Sequence, residues 1–224
     1  MRALAPFVVL LCLSAPAPAA ANPLCRVLGL CLYLSPGFEL TVVDAETDRP
    51  LADVYAWAEW VQYGAHGIGG PLMIQNAVSS STGQLTFPRW GPTFGSRAGL
   101  LLGVDPAVIL FKPGYATLLV QNEVPLGASE HAVVRGLSQQ QNVSRLRPFR
   151  GSDAEWVEQL RKLVFPALSS YVSDAARDRF RDLYLKRLGI VAAELARLAP
   201  NVAEAATLKI GLDQSERFLR GDQQ

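Results

Sequence analysis

Few side chains in this sequence could do chemistry, and they are scattered. His66 and His131 are the two histidines, and they stand 65 residues apart. A catalytic zinc centre uses three protein ligands, commonly a histidine pair at helical or short-strand spacing plus a carboxylate. This spacing supplies no such pair, so neither a metal site nor a cofactor is expected. His66 lies in Gly64-Ala65-His66-Gly67-Ile68-Gly69-Gly70, which lacks the Lys-Ser/Thr of a phosphate loop and leads into no helical pattern. A plain loop is the expectation there. Ser79, Ser80 and Ser81 have no histidine nearby and sit outside the Gly-x-Ser-x-Gly setting that activates a serine. Ser152 opens Ser152-Asp153-Ala154-Glu155, a capping box that accounts for it without catalysis. No catalytic residue is therefore assigned.

The aromatic residues offer more. Tyr55 and Trp57 fall on one face of a strand-like run and Trp60 on the other, where core packing is the usual fate of such rings. A row of exposed rings would instead stack on sugars. Trp90 is different, because Pro88, Gly91 and Pro92 around it read as a loop. Tyr63 and Phe94 likewise fall outside the expected strands. Loops held on a rigid scaffold are where recognition concentrates, and aromatic rings bring contact area at little entropic cost. Tyr63, Trp90 and Phe94 are thus the candidate binding residues, on the segments 63–70 and 88–94.

Those side chains need a scaffold and a compartment. The chain of 224 residues is 50% hydrophobic and 18% charged, which excludes a disordered or collagen-like polypeptide. A net charge of +1 gives no field to gather nucleic acid. Met1-Arg2, an apolar stretch from Phe7 to Leu13 and the small residues up to Ala21 form the three parts of a secretory signal peptide. The apolar stretch is about half the ~20 residues that span a bilayer. Export, cleavage after Ala21, no transmembrane segment in the mature chain and a periplasmic or secreted location are expected. Cleavage leaves Cys25 and Cys31, and an oxidising compartment favours a bond between them. On an extended strand their α-carbons would stand about 20 Å apart, so the bond requires residues 26–30 to loop.

Two periodicities divide the mature chain. From Gly37 to about Arg135, short runs alternate in polarity between turns. Phe38, Leu40 and Val42 are one such run, and Val54 to Val61, apolar but for Glu59, suits the interior of a sheet. Lys112-Pro113-Gly114 joins two further runs by a type II turn. After Phe149 the period becomes helical. Trp156, Leu160 and Leu163 share one face, and Phe180, Leu183, Tyr184, Leu188, Val191, Leu195 and Leu198 another. Asn201 with Glu204 repeats the capping pattern for a last helix. The expected parts are a signal peptide (1–21), a β-sandwich (22–136), a linker (137–151) and a helical region of two to three helices (152–220).

Within the first part, Val43-Asp44, Thr47, Arg49-Pro50-Leu51, Val54, Thr82-Gly83-Gln84-Leu85 and Phe111-Lys112-Pro113-Gly114-Tyr115 follow one another in an order that resembles the carboxypeptidase regulatory-like domain family. The resemblance covers about residues 37–134. It implies a mainly β fold, a seven-stranded Greek-key prealbumin-like sandwich, acting as an accessory module without catalytic residues. The segment from Tyr63 to Val78 stands out as an insertion, and the helical tail lies outside the resemblance. Two enzyme families on the same sandwich do not fit. Intradiol dioxygenases hold iron with a histidine pair and tyrosines, and no such pair exists here. Hydroxyisourate hydrolases end on a tetrapeptide resembling Phe149-Arg150-Gly151-Ser152, which here opens a helix. The expectation is an exported, non-enzymatic binding or accessory protein with a protein or carbohydrate partner. The alternative is a periplasmic hydrolase with its site in the 63–90 region.

Overall fold

A computed structural model describes residues 31–64, 67–95, 100–101, 105–122, 133–137, 143–164, 174–198 and 202–222. The strands are β1 (Leu32–Ser35), β2 (Phe38–Asp44), β3 (Tyr55–Gly64), β4 (Gly67–Val78), β5 (Gln84–Phe87), β6 (Trp90–Phe94), β7 (Leu100–Leu101), β8 (Ala107–Phe111), β9 (Leu118–Val120) and β10 (Val143–Leu146). Three helices follow: α1 (Asp153–Val164), α2 (Asp174–Leu195) and α3 (Ala203–Arg220). The chain is thus mainly β with a helical C-terminal region.

The strands form three sheets. The largest runs β4-β3-β8-β9, with β7 also on β3; a second runs β10-β2-β5; the third pairs β1 with β6. In β2 the alternation works as expected, with Leu40 and Val42 buried and Glu39 exposed. Leu40, Val42, Leu85 and Leu146 of the second sheet, Ala56, Ala58, Trp60 and Leu110 of the largest, and Tyr33 and Trp90 of the third meet in one core, so the three sheets share it. Glycine is required at position 83, where φ is +75° and a Cβ would stand 2.4 Å from the Val42 carbonyl oxygen. The β8–β9 hairpin turns at Lys112-Pro113-Gly114: the Tyr115 amide donates to the Lys112 carbonyl at 3.0 Å, and Gly114 takes the positive φ of 81°.

The expected insertion from Tyr63 to Val78 is no loop. It is the turn and return strand of a long hairpin, with Tyr55 opposite Val78 and Tyr63 opposite Ile68, interrupted by irregularities at Trp60/Val61 and Gln62/Tyr63. The glycines hid the strand, because glycine has low strand propensity even where the ladder accepts it. The boundary at 136/137 also needs correction. Val143–Leu146, assigned to a linker, is β10, pairing in parallel with Thr41–Asp44 of β2 and burying Leu146 in the core. Residues 147–149 continue along the β8–β9 turn, where the Ala116 amide donates to the Arg147 carbonyl at 2.9 Å and the Phe149 amide to that of Gly114 at 2.8 Å.

The helices start as their caps dictate in one case of two. At α1 the Ser152 amide donates to Glu155 Oε2 at 2.8 Å and the Glu155 amide to Ser152 Oγ at 3.4 Å, the reciprocal capping box. At α3 the cap is Val202, with no side-chain hydrogen bond; the expected cap residue Asn201 lies outside the described residues. Helices α1 and α2 pack on the outer face of the largest sheet, through Trp156 on Phe111 and through α2 on β4, and α3 packs against α1 and α2. Trp156, Leu160, Phe180, Leu188, Val191, Leu208 and Leu212 form a second core with Trp57, Ile74, Ile109 and Phe111. No helix among the described residues is long and apolar enough to cross a membrane.

Candidate functional site

None of the three candidate binding residues lies in a loop, and two of them are buried or half-buried. Trp90 is the first residue of β6, 8% exposed, with its ring edge-on to Trp60 at 5.1 Å. Its flanking Pro88, Gly91 and Pro92 concealed a strand residue that closes one end of the core. Its Nε1 is buried with no hydrogen-bond partner among the described residues. Tyr63 is half-buried near the end of β3. Burial, helped by the Asp105 and Glu59 carboxylates, pushes its hydroxyl above the ordinary tyrosine range. Phe94 alone keeps the expected exposure, at 59%, although it too lies in a strand.

Phe94 does not stand alone. From Cys31 through β1 burial alternates, with Cys31, Tyr33 and Ser35 buried and Leu32 and Leu34 half-buried on the outer side. The antiparallel register sets Leu32 opposite Phe94, and a parallel bridge on the other edge sets Leu34 opposite Val134. Cross-strand partners share a face. Leu32, Leu34, Phe94 and the 45%-exposed Val134 therefore make a contiguous apolar face on the outside of the sheet. Its frame is held from both sides. The Gly95 amide donates to the Cys31 carbonyl at 2.7 Å, Leu34 to Val133 at 3.0 Å and Arg135 to Leu34 at 2.8 Å. Beneath it the Arg135 guanidinium stacks over Tyr33, 5.7 Å from the ring centre, and the Arg135 carbonyl accepts from Trp60 Nε1 at 3.0 Å. Cys31 is disulfide-bonded; its expected partner Cys25 lies outside the described residues. Alternation in β1 would have found this face had β1 been recognised, but four residues after a masking Leu-Gly-Leu run carry too short a pattern.

The rim of β6 is blunted against strand pairing. Gly95 directs its amide to β1, so Phe94 and Pro92, alternate along the strand, direct theirs to the other edge. Proline has no amide hydrogen, which blunts that edge against strand addition. The face, not the edge, is the accessible feature.

The second aromatic group is covered. Tyr55 and Trp57 are stacked at 6.2 Å as their shared face requires, but Arg187 of α2 lies over Trp57, and Tyr55 is half-buried. Here Glu59, the lone acid of its strand, pairs with Arg187 of α2, both buried. The Arg187 guanidinium lies 5.1 Å from the Trp57 ring centre, and its Nε and Nη2 have no hydrogen-bond partner among the described residues. Tyr184, one turn earlier, has its hydroxyl pushed well up by burial and by the Glu59 carboxylate, against the opposing pull of Arg187. This pair was invisible in sequence, since 128 residues separate its members.

The remaining polar candidates have structural duties. Ser79 Oγ donates to the Leu51 carbonyl at 2.7 Å and accepts from the Val54 amide at 2.9 Å. Asp44 accepts from the amides of Glu46 and Thr47 at 2.8 and 2.9 Å and from the Tyr115 hydroxyl at 2.9 Å. The Glu46 amide and then the Tyr115 hydroxyl hold its carboxyl below the usual range. His66 and His131 lie outside the described residues, among which no group of three potential metal ligands converges.

No family model matches the sequence, and no curated protein matches it. Among solved structures, a 3-chlorocatechol 1,2-dioxygenase from Rhodococcus opacus 1CP aligns with 17% identity at a TM-score of 0.29, over 53% of this chain and 61% of that one. The chain thus spans less than two thirds of that enzyme, and an overlap of this quality carries neither fold nor chemistry across.

Proposed function

We propose that this chain is an exported, non-enzymatic binding or accessory protein that takes a protein partner on the Phe94 face. The observation that carries the reading is the set of Leu32, Leu34, Phe94 and Val134, four apolar side chains brought to one outer face by register. Exposed apolar residues are ordinary when single and informative when contiguous. Between the two partner classes expected from sequence, the chemistry of this face favours protein. A sugar needs polar groups to meet its hydroxyls beside a flat ring, whereas this face offers aliphatic chains and one phenyl ring, the composition of a protein interface core.

The finer fold reading goes with this proposal. A Greek-key, prealbumin-like sandwich of the carboxypeptidase regulatory-like type is supported by sheets that share one core, by the non-sequential order β10-β2-β5, and by the Thr82-Gly83 and Pro113-Gly114 turns. Export rests on the signal-peptide pattern alone. Intact mass of the protein recovered outside the cytoplasm should give Asn22 as the first residue; retention of residues 1–21 in that fraction would overturn export.

The partner reading is tested by placing a photo-crosslinking phenylalanine analogue at position 94 in the producing cell. One discrete protein adduct is expected, lost when Leu34→Asp is added. Adducts that are absent, or that persist with Leu34→Asp, would reject the face as the contact surface.

A further inference from the structure

Helices α2 and α3 leave a groove between them. Packed helices ordinarily approach to about 8–10 Å with interdigitating side chains, yet here ≈ 560 Å³ stays open above Leu188 and Leu212. The cause is local. The α2 side of the groove carries Gly189, Ala192 and Ala196, and a Cβ at Gly189 would meet nothing within 4 Å.

The α3 side is charged in a defined order. Lys209, Asp213, Glu216 and Arg220 line it, and their spacing of four, three and four residues aligns them in one row along the helix. Glu216 and Arg220 satisfy each other at 2.7 Å. Lys209 and Asp213 form no ion pair among the described residues. Next to the row stands Ile210, 59% exposed.

We propose that the occupant of this groove is a second copy of the chain, related by a two-fold axis. The charge order selects it. When α3 is laid antiparallel on α3 of another copy, with the axis level with residue 211, Lys209 faces the second copy's Asp213 and Asp213 faces its Lys209. One operation satisfies all four groups, the self-complementarity that an isologous interface demands. The Glu216–Arg220 pair is internally neutral and adds no repulsion. Ile210 lies on the flank of the row away from α2, so the same axis brings it beside the second copy's Ile210, and both side chains leave water. A single-chain amphiphile would match the apolar walls but would leave Ile210 in water and match its one head group to only part of the row.

Sedimentation equilibrium of the purified protein tests this directly. A mass of two chains is expected at tens of micromolar. Ile210→Asp, Lys209→Asp and Asp213→Lys should each weaken the dimer at least about tenfold, because every reversal sets two like-charged contacts across the axis or buries a charge. The double exchange Lys209→Asp with Asp213→Lys should restore it. Circular dichroism reports whether each variant remains folded, which these exposed positions favour. A monomer at 100 micromolar, a dimer indifferent to the reversals, failure of the double exchange to rescue, or native mass spectrometry showing a bound amphiphile in the groove of a monomer would each overturn the proposal.

Discussion

Glu59 of β3 and Arg187 of α2 form a buried ion pair that fastens the helical region to the sheet. The strand face that carries Glu59 also carries Tyr55 and Trp57, and the helix shields Trp57 from solvent, so the two rings form no exposed platform. Removing one partner strands the other charge. Glu59→Ala or Arg187→Ala should cost about 3–5 kcal/mol, whereas Glu59→Met with Arg187→Met should cost far less than the sum of the single changes. Urea unfolding of the four proteins checks this. Additive losses would mean that the two groups act independently.

Tyr184 beside that pair gives a pH dependence. Its folded pKa lies above the ordinary value of 10.0, first through burial and then through Glu59. The stability gained by keeping the hydroxyl neutral is fully present below pH 10 and is lost as the pH rises through the folded value. Thermal melts should therefore fall steeply above pH 10, and Tyr184→Phe should flatten that decline. An identical alkaline limb in both proteins would contradict the placement of Tyr184.

All four tryptophans are buried: Trp57, Trp60, Trp90 and Trp156. Iodide should quench the native fluorescence weakly and the unfolded fluorescence strongly. Trp90→Ala should cost about 3–5 kcal/mol, as for other large core truncations. A quenchable native population, together with a Trp90→Ala variant that melts normally, would return Trp90 to the surface.

The helical stripe makes a graded prediction. Leu188 is buried at the floor of the groove between α2 and α3, while Leu195 is half-buried along it. Leu188→Asp should cost several kcal/mol and Leu195→Asp distinctly less, because a partly solvated carboxylate keeps some of its water. Equal melting temperatures for the two variants would contradict this packing.

These contrasts mark how far the sequence could be read. The alternation of Phe38 to Val42, the Pro113-Gly114 turn, the Ser152–Glu155 cap and the stripe from Phe180 to Leu198 are local patterns, and each formed where its period or turn chemistry placed it. What escaped was non-local. The return strand β4 was masked by its glycines, and β10 by a polar, arginine-rich setting whose strand character comes from pairing with β2. Trp90 was misplaced because proline and glycine signal turns even when they flank a strand residue. Phe94 was found through exposure in an expected loop, but the face around it exists only because register brings Leu32, Leu34 and Val134 from segments far apart in the chain. Sequence periodicity is silent about such pairings, as it is about Glu59 and Arg187.

The central claim is that the Leu32, Leu34, Phe94 and Val134 face is where another protein binds. Crosslinking at position 94 in the producing cell measures it most directly, with position 119, another exposed apolar site, as the control. A single adduct from position 94 that vanishes with Leu34→Asp and is absent from position 119 is the expected result. No adduct at 94, or the same adducts from both positions, would contradict the account.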